Sequence, residues 1–204
     1  MPLFGQIGDK MIITIGREYG SGGHEIGKKL AEKYGIKFYD KQALIQFAKE
    51  NGNYDEIISF FEEKPVNSLL YAIAMNSYID VIGNKQFETI RKIAELESCV
   101  IIGRCSNYIF KENENTTSVF IHANVEKRIV RVTDIYKNDG KDVKSIIENT
   151  DKQRAAFHNY YTDEFWGDSR NYQLTIDSGE IGIDASVKLI SDFIEKKSNN
   201  DWLK

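Results

Sequence analysis

Met11-Ile-Ile-Thr-Ile-Gly-Arg-Glu-Tyr-Gly-Ser-Gly-Gly-His-Glu-Ile26 joins a β-branched run to a glycine-rich segment and then to a helical pattern. Met11 to Ile15 reads as a buried strand, bounded by Gly16. Ile26, Leu30, Ala31 and Tyr34 recur at helical spacing, and Gly35 follows as the helix terminator. The unit is strand, glycine loop, helix. Glycines in that place let main-chain N–H groups curl around an anion, and the helix N-terminus adds its partial positive charge. Gly16, Gly20, Ser21, Gly22, Gly23 and His24 are therefore the candidate phosphate-binding residues.

The usual phosphate-loop pattern is G-x-x-x-x-G-K-[ST], and this loop departs from it. With the helix in phase, Gly22 takes the last loop glycine and Gly23 stands where lysine belongs. Glu25 then falls near the Ser/Thr position, and the loop is one residue longer. A second alignment puts His24 at the lysine position. Neither supplies a lysine. The competing reading is a glycine-rich turn that binds nothing.

Outward from this unit, Lys37-Phe-Tyr39 reads as a short strand ending at Asp40. Gln42 to about Glu97 is helical throughout, punctuated by Gly52, Pro65 and Gly83, which gives four short helices inserted between strands. Cys99-Val-Ile-Ile102 and Ser118-Val-Phe-Ile121 are further strands, closed by Gly103-Arg104 and His122-Ala123. Val125 to Tyr136 and Val143 to Tyr161 are helices around an Asn138-Asp-Gly140 turn. Tyr172 to Ile176 is the last strand, and Ile183 to Ile194 the closing helix. In the tail, Trp202 and Leu203 are the residues able to dock. Strands alternating with helices predict an α/β fold with a parallel sheet covered on both faces. Ligands of such sheets bind beyond the carboxyl ends of the strands.

Composition narrows the function. The chain has 204 residues, 41% hydrophobic, with eleven Phe and eleven Tyr. That suffices for one packed domain and argues against disorder. A net charge of -4 argues against a nucleic-acid polymer as partner and for a small phosphorylated ligand met by a local basic cluster. Cys99 and Cys105 match no metal-ligand spacing and read as reduced buried thiols. No apolar run approaches a membrane span, and Met1 to Lys10 does not read as a leader, so a cytoplasmic protein without a membrane partner is expected. The oligomeric state is left open.

Four cationic positions stand at strand ends and on helices. Arg104 closes the third strand, where a guanidinium suits bidentate phosphate or base recognition. Arg128 and Arg131 lie three apart on one helix. Asp151, Arg154 and His158 share a face of another, with Lys152 and Gln153 between them. His122 closes a strand and reads as structural. No G-x-S-x-G elbow announces a serine nucleophile.

In order along the chain, these stretches resemble the cytidylate kinase-like family. They are Ile12 to Gly27, Phe38-Tyr-Asp-Lys41, Val100-Ile-Ile-Gly-Arg104, Val119-Phe-Ile-His-Ala123 with Glu126-Lys-Arg128, Asp151-Lys-Gln-Arg-Ala155, Trp166-Gly-Asp168, and Tyr172 to Asp184. The resemblance implies a three-layer P-loop kinase fold with a five-stranded parallel sheet. The core would comprise residues 11–40 and 98–194, with a helical monophosphate-binding insert over about 41–97 and a helical lid over about 137–168. It implies transfer of the γ-phosphoryl group of ATP, with Mg2+, to a nucleoside monophosphate, CMP or dCMP in true cytidylate kinases. Carried over by position, Asp40 would lie near the acceptor and Arg104 would hold it, Arg128 would stand at the phosphates, and Asp151 and Arg154 would match part of an arginine-rich lid. Arg128 and Arg154, with Arg17, are the candidate catalytic residues, and Asp151 joins Asp40 and Arg104 as a candidate acceptor contact. Glu25 would be the magnesium ligand. Cys105 replaces the aspartate of the family's G-R-D motif, and Lys152 and Gln153 replace an Arg-Asp pair. With the loop lysine also gone, the alternative is a nucleotide-binding or regulatory module with weak or no transfer. Arg17 or Lys152 could supply the missing charge.

Overall fold

The computed structural model describes residues 10–51, 79–136 and 142–199. In chain order these form β1 (Ile12–Arg17), α1 (Gly23–Tyr34), β2 (Lys37–Tyr39), α2 (Lys41–Glu50), α3 (Ile79–Leu96), β3 (Cys99–Ile102), α4 (Ser106–Ile109), β4 (Thr116–His122), α5 (Val125–Tyr136), α6 (Val143–Thr162), a 3-10 turn (Ser169–Asn171), β5 (Leu174–Asp177) and α7 (Ser178–Ser198).

The strands form one sheet in the order β2-β3-β1-β4-β5, and every neighbouring pair is parallel. Successive side chains of a strand point to opposite faces, and here both faces are apolar. Ile12, Cys99 and Ile101 enter one core with Leu44, Ile90, Ile93 and Phe157 of α2, α3 and α6. Ile13, Ile15, Val100, Ile102, Val119 and Ile121 enter the other with Ile26, Leu30, Ile190 and Ile194 of α1 and α7. Burial on both faces is why these strands read as unbroken apolar runs instead of alternating ones.

β1 is the centre of the sheet. The chain leaves it for β2 on one side, then crosses from β3 to β4 on the other. Ligand crevices of open α/β sheets lie at such a switch, outside the strand C-termini. The loop after β1 stands there, supported by a third apolar cluster of Val132, Val143 and Ile147 with Tyr19 and Ile129 against it.

The five parallel strands match the expectation: two have the expected bounds, and the ends of the other three shift by one or two residues. Three details differ. α3 runs unbroken through Gly83, which was expected to punctuate. α7 begins at Ser178 because Asp177 caps it, its carboxylate accepting from the Gly179 N–H, and a kink at Gly182 (φ 79) joins two helical pieces. The short α4 has no counterpart in the sequence pattern. Pro65, the Asn138-Asp-Gly140 turn, Trp202 and Leu203 lie outside the described residues.

Candidate active site

β1 does not stop where its side chains stop being apolar. Its ladder continues through the Glu18 N–H, which donates to the Ile121 carbonyl. The chain then turns tightly: the Ser21 N–H and hydroxyl both donate to the Glu18 carbonyl, at 3.3 and 2.8 Å. Gly20 and Gly22 take left-handed conformations, φ 82 and 83, which an L-residue enters only at a cost. Gly22 is the N-cap of α1 and gives no side-chain cap, so the first-turn N–H groups of α1 are left for another partner.

A cavity of about 330 Å³ opens on this turn. Gly20, Gly22, Gly23 and His24 line it with Arg17, Glu18, Glu25, Arg131 and Arg154. Three guanidiniums and an uncapped helix N-terminus thus meet two carboxylates. Both carboxylates have partners: Glu18 accepts from the Ala123 N–H and lies 3.5 Å from Arg128, and Glu25 pairs with Arg131 at 2.5 Å. The wall is suited to oxyanions.

Not every residue expected at the phosphates faces this cavity. Gly16 lies below it, packed so closely that an added Cβ would meet Phe120 at 2.8 Å and Tyr172 at 3.0 Å. Ser21 is buried, and its hydroxyl turns back to Glu18. Arg128 is buried too, its guanidinium engaged with the Tyr19 carbonyl at 3.2 Å and Asp151 at 2.5 Å. Asp151, expected beside the acceptor, instead accepts from the Tyr19 N–H at 2.7 Å. Of the two α5 arginines, Arg131, one turn beyond Arg128, is the one that lines the cavity. The only sequence signal for it is the i, i+3 spacing, which does not say which of the two faces inward.

Asp40 stands at the next strand end. It caps α2, accepting from the Gln42 and Ala43 N–H groups at 3.0 Å, and it meets His24 Nε2 at 3.1 Å. Burial pushes the Asp40 carboxyl up, but hydrogen bonds from Ala43, His24 and Gln42 outweigh it and leave its pKa below the ordinary value. His24 thereby joins the glycine loop to the start of α2.

Arg104 follows β3 and is 3% exposed, held in a run of left-handed residues with Gly103 and Cys105. It does not line the cavity at the loop. Nearby, His158 is buried between Asn107, Thr162 and the Glu164 carbonyl. Both cysteines are free and buried, and burial pushes the Cys99 thiol up to about 12, which removes it from thiolate chemistry at neutral pH.

Among the described residues no group of three or more His, Cys, Asp or Glu is placed to hold a metal, and no helix is long and apolar enough to cross a membrane. Glu25 is already engaged by Arg131. Any divalent ion here would bind mainly to oxygens that a ligand brings.

Residues 12–180 match the model of the cytidylate kinase-like family. A cytidylate kinase from Archaeoglobus fulgidus is 28% identical over 194 residues, covering 92% of this chain and 96% of its own. Among solved structures, an uncharacterized protein from Eubacterium ventriosum is 34% identical, with a TM-score of 0.72 over 91% of this chain and 99% of that one. A shikimate kinase from Bacteroides thetaiotaomicron, 16% identical, has a TM-score of 0.54 over 91% of this chain and 98% of its own, a likeness of fold alone, and that fold is the P-loop kinase fold. By the extent of the family match and its order along the fold, this chain belongs to the cytidylate kinase-like family.

Proposed function

We propose that this protein transfers the γ-phosphoryl group of ATP, with Mg2+, to a nucleoside monophosphate, with CMP or dCMP favoured. One observation carries the reading: the cavity at the end of β1, where the glycine turn and the N-terminus of α1 meet Arg17, Arg131 and Arg154. Such a constellation has little to offer except charge neutralisation and positioning, which is what phosphoryl transfer requires.

The residues fit a polyphosphate. An added Cβ on Gly23 would lie 2.5 Å from the Arg17 Cβ, so the main chain is laid against β1 with its amides left for an anion. In this reading Gly20, Gly22, Gly23 and His24 hold the ATP phosphates, and Gly16 and Ser21 shape the loop from below. Arg17, Arg131 and Arg154 supply the charge that the missing loop lysine would have given. Arg128 acts as a support. Glu25 is the carboxylate offered to magnesium, and Arg131 would have to yield it. The chemistry that magnesium supplies there is neutralisation of phosphate oxygens.

Asp40 and Arg104 stand on the acceptor side, with residues 41–97 as the monophosphate-binding insert and 137–168 as the lid. A phosphate oxygen of the acceptor attacks the γ-phosphorus, the bond to the β-phosphate breaks, and ADP leaves with the electron pair. An anionic attacking oxygen needs no strong general base. The expected setting is the cytoplasm.

The test is ADP release with ATP, Mg2+ and a panel of nucleoside monophosphates. Turnover that is highest with CMP or dCMP supports the proposal. The absent loop lysine and Cys105 favour a second reading, a nucleotide-binding module without efficient transfer. Tight ATP binding with no turnover on any acceptor would select it, and folded protein that binds no ATP would remove both.

A further inference from the structure

The turn after β1 is held by more than its own hydrogen bonds. Asp151 Oδ1 accepts from the Tyr19 N–H at 2.7 Å. Arg128 Nη1 donates to the Tyr19 carbonyl at 3.2 Å and to Asp151 Oδ2 at 2.5 Å. Tyr19 therefore has both main-chain polar groups taken by one ion pair, which joins α5 to α6. That pair is largely removed from water, with side-chain exposures of 10% for Arg128 and 17% for Asp151. One turn further along α6, Arg154 donates to the Arg17 carbonyl at 3.1 Å and lies over the Tyr19 ring, 5.6 Å from its centre. The ring itself packs on Val132, Val143 and Ile147.

We infer that Tyr19 is a positioning residue through which α6 sets the shape of the phosphate loop, with Asp151 fixing its N–H and Arg128 its carbonyl. The physical content is a choice about one amide. A main-chain N–H in a glycine turn can point at a bound anion or be retained by the fold, and the Asp151 carboxylate retains this one. The neighbouring residue shows what the retention achieves. Gly20 is pressed so closely on α5 that an added Cβ would lie 2.8 Å from Val132 Cγ2 and 3.2 Å from the Arg128 carbonyl. Anchoring Tyr19 sets Gly20 there, and Gly20 lines the cavity. The loop is thus preorganised by a helix remote in sequence, and preorganisation lowers the ordering cost that a ligand would meet.

The link to nucleotide affinity rests on the function proposed above; the anchoring does not. Amide hydrogen exchange of Tyr19 and Gly20 tests the anchoring, and ATP titration tests its consequence, in wild type, Asp151→Ala and Asp151→Asn. In Asp151→Ala the Tyr19 amide is expected to exchange about 10-fold faster or more, as one charge-assisted hydrogen bond is lost. Ile13 and Ile101 in the sheet keep their protection. ATP binding weakens by about the same factor, and KM for ATP rises more than kcat falls. Asp151→Asn keeps an acceptor for the Tyr19 N–H and retains most of the protection, which guards against a variant that merely folds poorly.

Tyr19 exchange within about twofold of wild type in folded Asp151→Ala overturns the inference. So does acceleration spread equally over Ile13 and Ile101, which would make Asp151 a contributor to global stability only. Faster Tyr19 exchange with unchanged ATP affinity overturns the positioning role. If wild type binds no ATP, the proposed function falls, and exchange at Tyr19 still decides the anchoring.

Discussion

The turns that close β1 and β3 lie side by side, since Ile15 pairs with Ile102, yet they are made from opposite materials. After β1 the left-handed positions are glycines, Gly20 and Gly22, and the main chain opens on a cavity. After β3, Gly103 (φ 71) is followed by Arg104 (φ 60) and Cys105 (φ 56), and both of these residues are 3% exposed. A left-handed L-residue costs about 1–2 kcal/mol, so this second turn carries strain that the first avoids. Its neighbours over-determine it. The Gly103 N–H donates to the Ile15 carbonyl at 2.9 Å, and the Ile109 N–H to the Cys105 carbonyl at 2.9 Å. One turn lines a cavity; the other carries a guanidinium that is buried. Strain of this kind concentrates where geometry matters for function.

The largest expected effect comes from putting a side chain into the first turn. In Gly23→Ala the new Cβ meets the Arg17 Cβ at 2.5 Å, an atom that cannot rotate away. A stability loss of about 2 kcal/mol is expected, as in overpacked cores, with ATP binding weakened roughly 100-fold because the loop must move off β1. Thermal melts and ATP titration measure the two. Wild-type values for both would mean that the first turn is pliable, and the contrast with the second would collapse.

The second turn predicts a reversal of the usual rule for glycine. Replacing Arg104 by alanine removes the guanidinium and keeps the strain, whereas glycine removes both. Arg104→Gly should therefore be more stable than Arg104→Ala by about 1 kcal/mol, with turnover about 100-fold below wild type in both variants. Urea unfolding of the pair decides the first point. An alanine variant as stable as the glycine variant would show that the turn is not strained.

How much of this is legible in the sequence differs between the two turns for a physical reason. Glycines at fixed offsets after a β-branched run announce a turn, and the strands around them announce themselves by unbroken apolar runs. Gly20, Gly22, Gly23 and His24, which line the loop cavity, are therefore legible from their neighbours along the chain. Arg104 and Cys105 give no such sign, because nothing local distinguishes a left-handed arginine from an extended one; its conformation is imposed by β1 and α4. The same limit explains Arg128 and Arg131. Helical spacing places both on one side of α5, but only the tertiary position of Asp151 decides that Arg128 is buried under the loop. The expectation for Asp151 rests on a positional resemblance to the family's lid, and its contact with Tyr19 spans 132 residues of sequence, beyond any local pattern.

The smallest effect separates the two turns by pH. His158 sits under the β3 side, with Nε2 3.4 Å from Asn107 Oδ1 of α4 and Nδ1 3.3 Å from the Glu164 carbonyl. Burial lowers its pKa below 6.5, and the Glu164 carbonyl opposes this only in part. A depressed histidine pKa means that the unfolded chain takes up the proton first. The stabilisation is complete above the ordinary value of about 6.5 and is lost as pH falls from there toward the folded value. The Asp40 carboxyl, also depressed, begins to lose its contribution only below the ordinary carboxylate pKa, in more acidic solution than the onset for His158. Unfolding free energy should therefore decline as pH falls below about 6.5, by no more than about 1.4 kcal/mol per pH unit, the slope of one proton. His158→Gln should flatten that decline while leaving the Tyr19 amide protection unchanged, because the strap on the β1 turn involves no group of this cluster. A slope that survives the substitution would assign the titration elsewhere, and a Tyr19 amide that loosens with it would show that the two turns are mechanically one.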